Sequence, residues 1–78
     1  MTQSEENNAI QATTQLLDVT DGNLRSITRT LSADEQRTVS QIRSYMAQSR
    51  TALKGQDYEL AHNLALKANQ LSEGLLRQ

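Results

Sequence analysis

Apolar and small residues recur at alternating steps of three and four along nearly the whole of this 78-residue chain. Ile10, Thr13, Leu17, Thr20, Leu24, Ile27 and Leu31 keep the spacing first. Val39, Ile42, Met46, Ser49 and Leu53 keep it next, and Ala61, Leu64, Ala68, Leu71 and Leu75 complete it. Such steps put one stripe on one side of an α-helix, in the register of a heptad seam, whereas a half-buried strand alternates every second residue. Proline is absent and glycine occurs only three times, so nothing forbids long helices, and a turn-rich β architecture is disfavoured.

The seam divides into three segments. The first spans about 5–30. Asp21-Gly22 lies inside it and has the composition of a turn, but the register passes through without a change of phase. One long helix weakened by roughly 1 kcal/mol at Gly22 is therefore preferred, with two shorter helices meeting there as the alternative. The second helix, 33–54, has the clearest start. Ser32 stands as N-cap with Glu35 three residues on, which is a capping box, and Asp34 and Glu35 complement the helix dipole. Lys54 and Gly55 form its stop. Asp57 caps the third helix, 57–77, whose inner face is widened by Tyr58, Leu60 and Ala65, while Leu66 falls off the stripe. Residues 1–6 are polar and expected as a disordered tail, leaving 7–78 as a single helical domain. Short connections force neighbouring helices to run antiparallel. The expected fold is an all-α, up-down-up three-helix bundle with coiled-coil-like packing.

Composition narrows the function more than it names it. With 36% hydrophobic residues, two tyrosines and no Phe or Trp, the core must be aliphatic and thin, near the lower size limit for a self-sufficient domain. Either its packing is very regular or a partner or second copy contributes. A net charge of −1 gives no electrostatic footprint for nucleic acid or an anionic membrane. The lack of cysteine excludes disulfides and thiolate metal sites. No apolar run approaches the ~20 residues of a membrane span. The acidic, polar start Met1–Asn8 does not read as a signal peptide.

The elbow between the second and third helices carries a family pattern. From Tyr45 to Leu71 the chain resembles a single tetratricopeptide repeat. The family's turn corresponds to Gln56-Asp57-Tyr58, its small residues to Ala61 and Ala68, its closing apolar position to Leu71 and its early aromatic to Tyr45. The turn glycine is displaced to Gly55, Ser49 replaces the small residue of the first helix, Ala65 the later aromatic and Glu73 the closing proline. One motif is present where a groove needs about three stacked units. The resemblance therefore implies a close-packed hairpin and not the family's peptide binding. From Leu17 onward the pattern also resembles the C-terminal helical domain of uncharacterised bacterial, chiefly acidobacterial, cell-envelope proteins. That likeness implies an envelope location, behind a secretion or lipid-attachment signal and a linker, and no biochemical activity.

Few residues suggest chemistry. His62 is the sole histidine, with Glu59 and Tyr58 in reach on the same face, which is a poor metal site beside the plainer reading of a boundary histidine. The carboxylate pairs Glu5/Glu6, Asp34/Glu35 and Asp57/Glu59 each fall at a helix start, where capping and dipole effects explain them. Arg43, Arg50 and Lys54 recur at seven and four, a basic stripe with Arg37 close by. It suits phosphates or an acidic partner, but an ordinary solvated face is the favoured reading, because no aromatic residues interleave and the net charge is slightly negative. No serine, threonine or lysine has a base placed to activate it, and no phosphate-cradling loop occurs. The expectation is a non-enzymatic helical module, without cofactor or metal, that mediates protein–protein contact or self-association. The alternatives are an envelope-tethered structural domain and weak binding of nucleic acid or an anionic surface through Arg43, Arg50 and Lys54.

Overall fold

The computed structural model describes residues 2–77 as three α-helices: α1, Gln3–Arg25; α2, Ala33–Lys54; and α3, Tyr58–Leu76. The start of α2 is built as expected. Ser32 Oγ accepts from the Glu35 amide at 3.2 Å, and the Ser32 amide donates to Glu35 Oε1 at 2.9 Å. Asp57 caps α3 by accepting from the Leu60 amide at 3.3 Å. Helix α1 runs unbroken through Gly22, so the two-helix alternative falls. Its first turn holds residues 3–6, expected as a tail, because Thr2 Oγ1 accepts from the Glu5 amide at 3.1 Å and supplies a cap.

The end of α1 differs from the expected 30. The Ser26 amide donates to the Gly22 carbonyl at 3.0 Å, while its hydroxyl donates to the Asn23 carbonyl at 2.7 Å. Beyond it the chain leaves the helix. Arg29 makes a two-pronged pair with Glu35 at 3.0 and 2.7 Å and donates to the Leu75 carbonyl at 3.3 Å. This clamp joins the connection, the start of α2 and the end of α3. A continued helix would give it up, and Thr28 and Thr30 are β-branched residues of low helix propensity. Ile27 still packs against the core, from the connection rather than from a helix.

Three cross-helix hydrogen bonds fix the register. Asn69 Nδ2 donates to Thr20 Oγ1 at 3.3 Å, and Asn23 Nδ2 donates to Ser72 Oγ at 3.0 Å. Residues advance together along α1 and α3, so these helices run parallel. Ser49 Oγ donates to the Ala61 carbonyl at 2.7 Å across the α2–α3 hairpin. The bundle is thus up-down-up. Leu17, Leu24, Ile42, Met46, Ala65, Ala68 and Leu75 form its continuous core. Helix α3 presents Ala61, Ala65 and Ala68 with no exposed surface, and both neighbours pack closely against it. Helices α1 and α2 approach each other far less closely. The body measures 45 × 17 × 14 Å, an elongated rod.

The core is narrower than the seam suggested at its edges. Ile10 is 36% exposed, and Leu60, expected to widen the inner face of α3, is 47% exposed. Inside it the polar residues Thr13, Thr20, Ser49 and Ser72 are fully buried. All but one are hydrogen-bonded. The exception is Thr13, whose hydroxyl has no partner.

At the elbow, Gly55 has φ −84° and ends α2, but the left-handed residue is Gln56, at φ 63°. The Gln56 amide donates to the Leu53 carbonyl at 3.1 Å and the Asp57 amide to the Ala52 carbonyl at 2.9 Å. This is the paired closure of a Schellman turn, with glutamine where glycine is usual.

Candidate interaction surface

The second set of apolar residues lies outside the seam. On α1, Ala12, Leu16 and Val19 follow steps of four and three; on α3, His62, Leu66 and Asn69 do the same. Because α1 and α3 are parallel and in register, the two runs face each other along a shallow groove of ≈ 610 Å³ lined also by Gln15. Val19 is 53% exposed and Leu66 37%. Leu66 was expected off the apolar stripe, and it is. The floor is firm because Asn69 is held by Thr20 below it. His62 is half-buried in this wall rather than joined to other ligands. Among the described residues no three of His, Cys, Asp and Glu gather as a metal site.

Charges surround this groove unevenly. Glu59 and Glu73 lie seven residues either side of Leu66, and Glu5 lies on the line of Ala12 and Val19, so all three extend the apolar runs. All are exposed, and none has an ion-pair partner among the described residues. The expected stripe Arg43, Arg50 and Lys54 is brought together along exposed α2, with Ala47 in the same run of four, three and four. These cations also have no ion-pair partner among the described residues; Arg37 pairs with Asp34 at 3.3 Å. Beside the stripe, Ser44, Ala47, Thr51 and Leu60 help line a second shallow hollow of ≈ 450 Å³. Lys67 lies on another flank, 6.0 Å from the centre of the Tyr45 ring.

The carboxylate pairs act as local structure. Glu5 and Glu6 lie in the first turn of α1, Asp34 and Glu35 in that of α2, and Asp57 and Glu59 open α3. The Glu35 carboxyl is lowered in pKa. The Arg29 guanidinium, first, and then the Ser32 amide hold its carboxyl down at about 2. Arg29 is raised in turn, chiefly by its hydrogen bonds to Glu35. The pair joins the connection to the start of α2, and Glu35 helps line a shallow polar hollow of ≈ 520 Å³ with Ser32, Thr38 and Gln70.

The groove was only half legible in the sequence. Leu66 stood out as apolar and off the seam, but Val19 stood out only once paired with it, which requires knowing that α1 and α3 are parallel. No helix among the described residues is long and apolar enough to cross a membrane. No family model matches the chain, and no match appears among curated proteins or solved structures. The fold defines an all-α three-helix bundle.

Proposed function

We propose that the chain is a non-enzymatic helical interaction module that docks a partner on the α1–α3 groove. The observation that carries this reading is the groove itself. Exposed Val19 and Leu66, with half-buried Leu16 beside them packed on the core, form an apolar line on the outside of the rod, and such a line is a helix-docking geometry. Supporting it, Asp34 and Glu35 are held in ion pairs and Asp57 as a cap, and the hollows are shallow and open rather than clefts that exclude water.

The test separates a docking face from core. The double variant Val19→Asn, Leu66→Gln should leave the melting temperature within the range of surface changes, about ±0.5 kcal/mol per site. A core truncation such as Leu17→Ala costs about 2–5 kcal/mol. In ¹⁵N spectra, titration with unlabelled chain or with amphipathic helical peptides should move the amides of Leu16, Val19 and Leu66 first, and the double variant should abolish those shifts. Loss of stability on the scale of the core truncation, or shifts confined to other faces, would refute the reading.

A further inference from the structure

Resting on that reading, we propose that the occupant of the groove is a second copy of this chain, associated head to tail. The stripe Arg43, Ala47, Arg50 and Lys54 of one copy seats on the α1–α3 groove of the next, among Glu5, Glu59 and Glu73.

Charge selects this arrangement. Placing groove on groove brings Glu5, Glu59 and Glu73 of both copies together. Placing stripe on stripe brings the arginines together. Like charges opposed across an interface are costly, and only the mixed pairing sets unpaired carboxylates against unpaired cations. The stripe also fits within the length of the acidic row. Arg43 to Lys54 spans about 16 Å along α2, and Glu59 to Glu73 about 21 Å along α3, at 1.5 Å per residue. Shape contributes next. Ser44, Ala47 and Thr51 are small, so α2 approaches a groove closely, and exposed Leu60 adds apolar surface beside the stripe. The two mating surfaces differ, so the contact is heterologous and extends into a filament or closes into a ring.

Sedimentation of the full chain tests this from about 10 µM to about 1 mM, the range in which a weak contact is visible. In about 20 mM salt the mean mass should rise with concentration, and in about 0.5 M salt it should fall back, because exposed pairs are screened. The stripe reversal R43E/R50E and the groove reversal E59K/E73K should each weaken association at least about tenfold. All four positions are exposed, so circular dichroism should show both variants folded. Mixing the two reversed variants should restore association, since each then offers the other a matched surface. A monomer mass under every condition overturns self-association, yet leaves the groove to be judged by Val19→Asn, Leu66→Gln. A dimer indifferent to charge reversal overturns the head-to-tail arrangement. So does a monomer whose stripe binds vesicles of anionic lipid and loses them on Arg43→Glu.

Discussion

Thr13 and Thr20 lie seven residues apart on α1, both without exposed surface, and the same substitution should have opposite effects at the two. The Thr13 hydroxyl has no hydrogen-bond partner. The Thr20 hydroxyl donates to the Leu16 carbonyl at 2.7 Å and accepts from Asn69 Nδ2 at 3.3 Å. Valine nearly matches threonine in volume and helix propensity, so the hydroxyl is the main difference. An unsatisfied buried polar group costs about 1–3 kcal/mol. Thr13→Val should therefore stabilise by about 1–2 kcal/mol, a rise in melting temperature of roughly 4–8 °C for each kcal/mol in a domain of this size. Thr20→Val leaves the buried Asn69 amide without its acceptor and should destabilise by about 1–3 kcal/mol. Thr13→Ser, which keeps the hydroxyl and loses a methyl, should also destabilise. Urea unfolding followed by circular dichroism measures all three, with the m-value reporting any change in the unfolded state. The reasoning is refuted if Thr13→Val lowers stability, or if both valine variants shift it in the same direction.

Three further outcomes follow from the backbone and the clamp. Gly22 sits exposed within α1, and a Cβ there meets nothing within 4 Å, so Gly22→Ala should raise stability by about 0.5–1 kcal/mol in thermal melts. Gln56 holds φ 63°, a conformation that costs a non-glycine residue about 1 kcal/mol, so Gln56→Gly should stabilise modestly in urea titrations despite the added freedom of the unfolded chain. Glu35, lowered from 4.5 to about 2 by Arg29 and Ser32, contributes stability that is present above the unfolded value and lost as pH falls towards 2. The stability difference between wild type and Glu35→Gln should be constant above pH 5 and shrink steadily below it; a difference that stays constant down to pH 2 would contradict the clamp.

How much of this fold the chain discloses depends on the range of each determinant. The start of α2 is readable because Ser32 and Glu35 are three residues apart and satisfy each other locally. Gly22 fails to break α1 because the seam on both sides of it packs in one phase. The end of α1 is hidden for the opposite reason. Arg29 is drawn to Glu35 and to the Leu75 carbonyl, 46 residues away, and no local pattern reports that contact. The elbow misleads by one position, because either Gly55 or Gln56 can take the left-handed turn, and the Asp57-to-Ala52 closure selects Gln56. Leu60 is apolar and adjoins Ala61, yet neighbouring residues point about 100° apart around a helix, so with Ala61 buried Leu60 lies on the exposed side.

The seam alone leaves open whether the three stripes close within one chain or between chains, and the polar residues packed between the helices bear on that choice. Coiling like against like, α3 on a second α3, would separate Asn69 from Thr20, Ser72 from Asn23 and the Ala61 carbonyl from Ser49. Each buried group so orphaned costs about 1–3 kcal/mol, which a thin aliphatic core does not offset. Exchange of α1 between copies would keep these partners, but it requires the connection 26–32 to open. That connection is pinned by Arg29 to both α2 and α3. Association that preserves every one of these bonds uses the outer surfaces, where Val19 and Leu66 lie in one place and Arg43, Arg50 and Lys54 in another. The buried stripe carries neutral hydrogen bonds that fix which helix meets which, and the outer stripes carry the unpaired charge that can choose a partner.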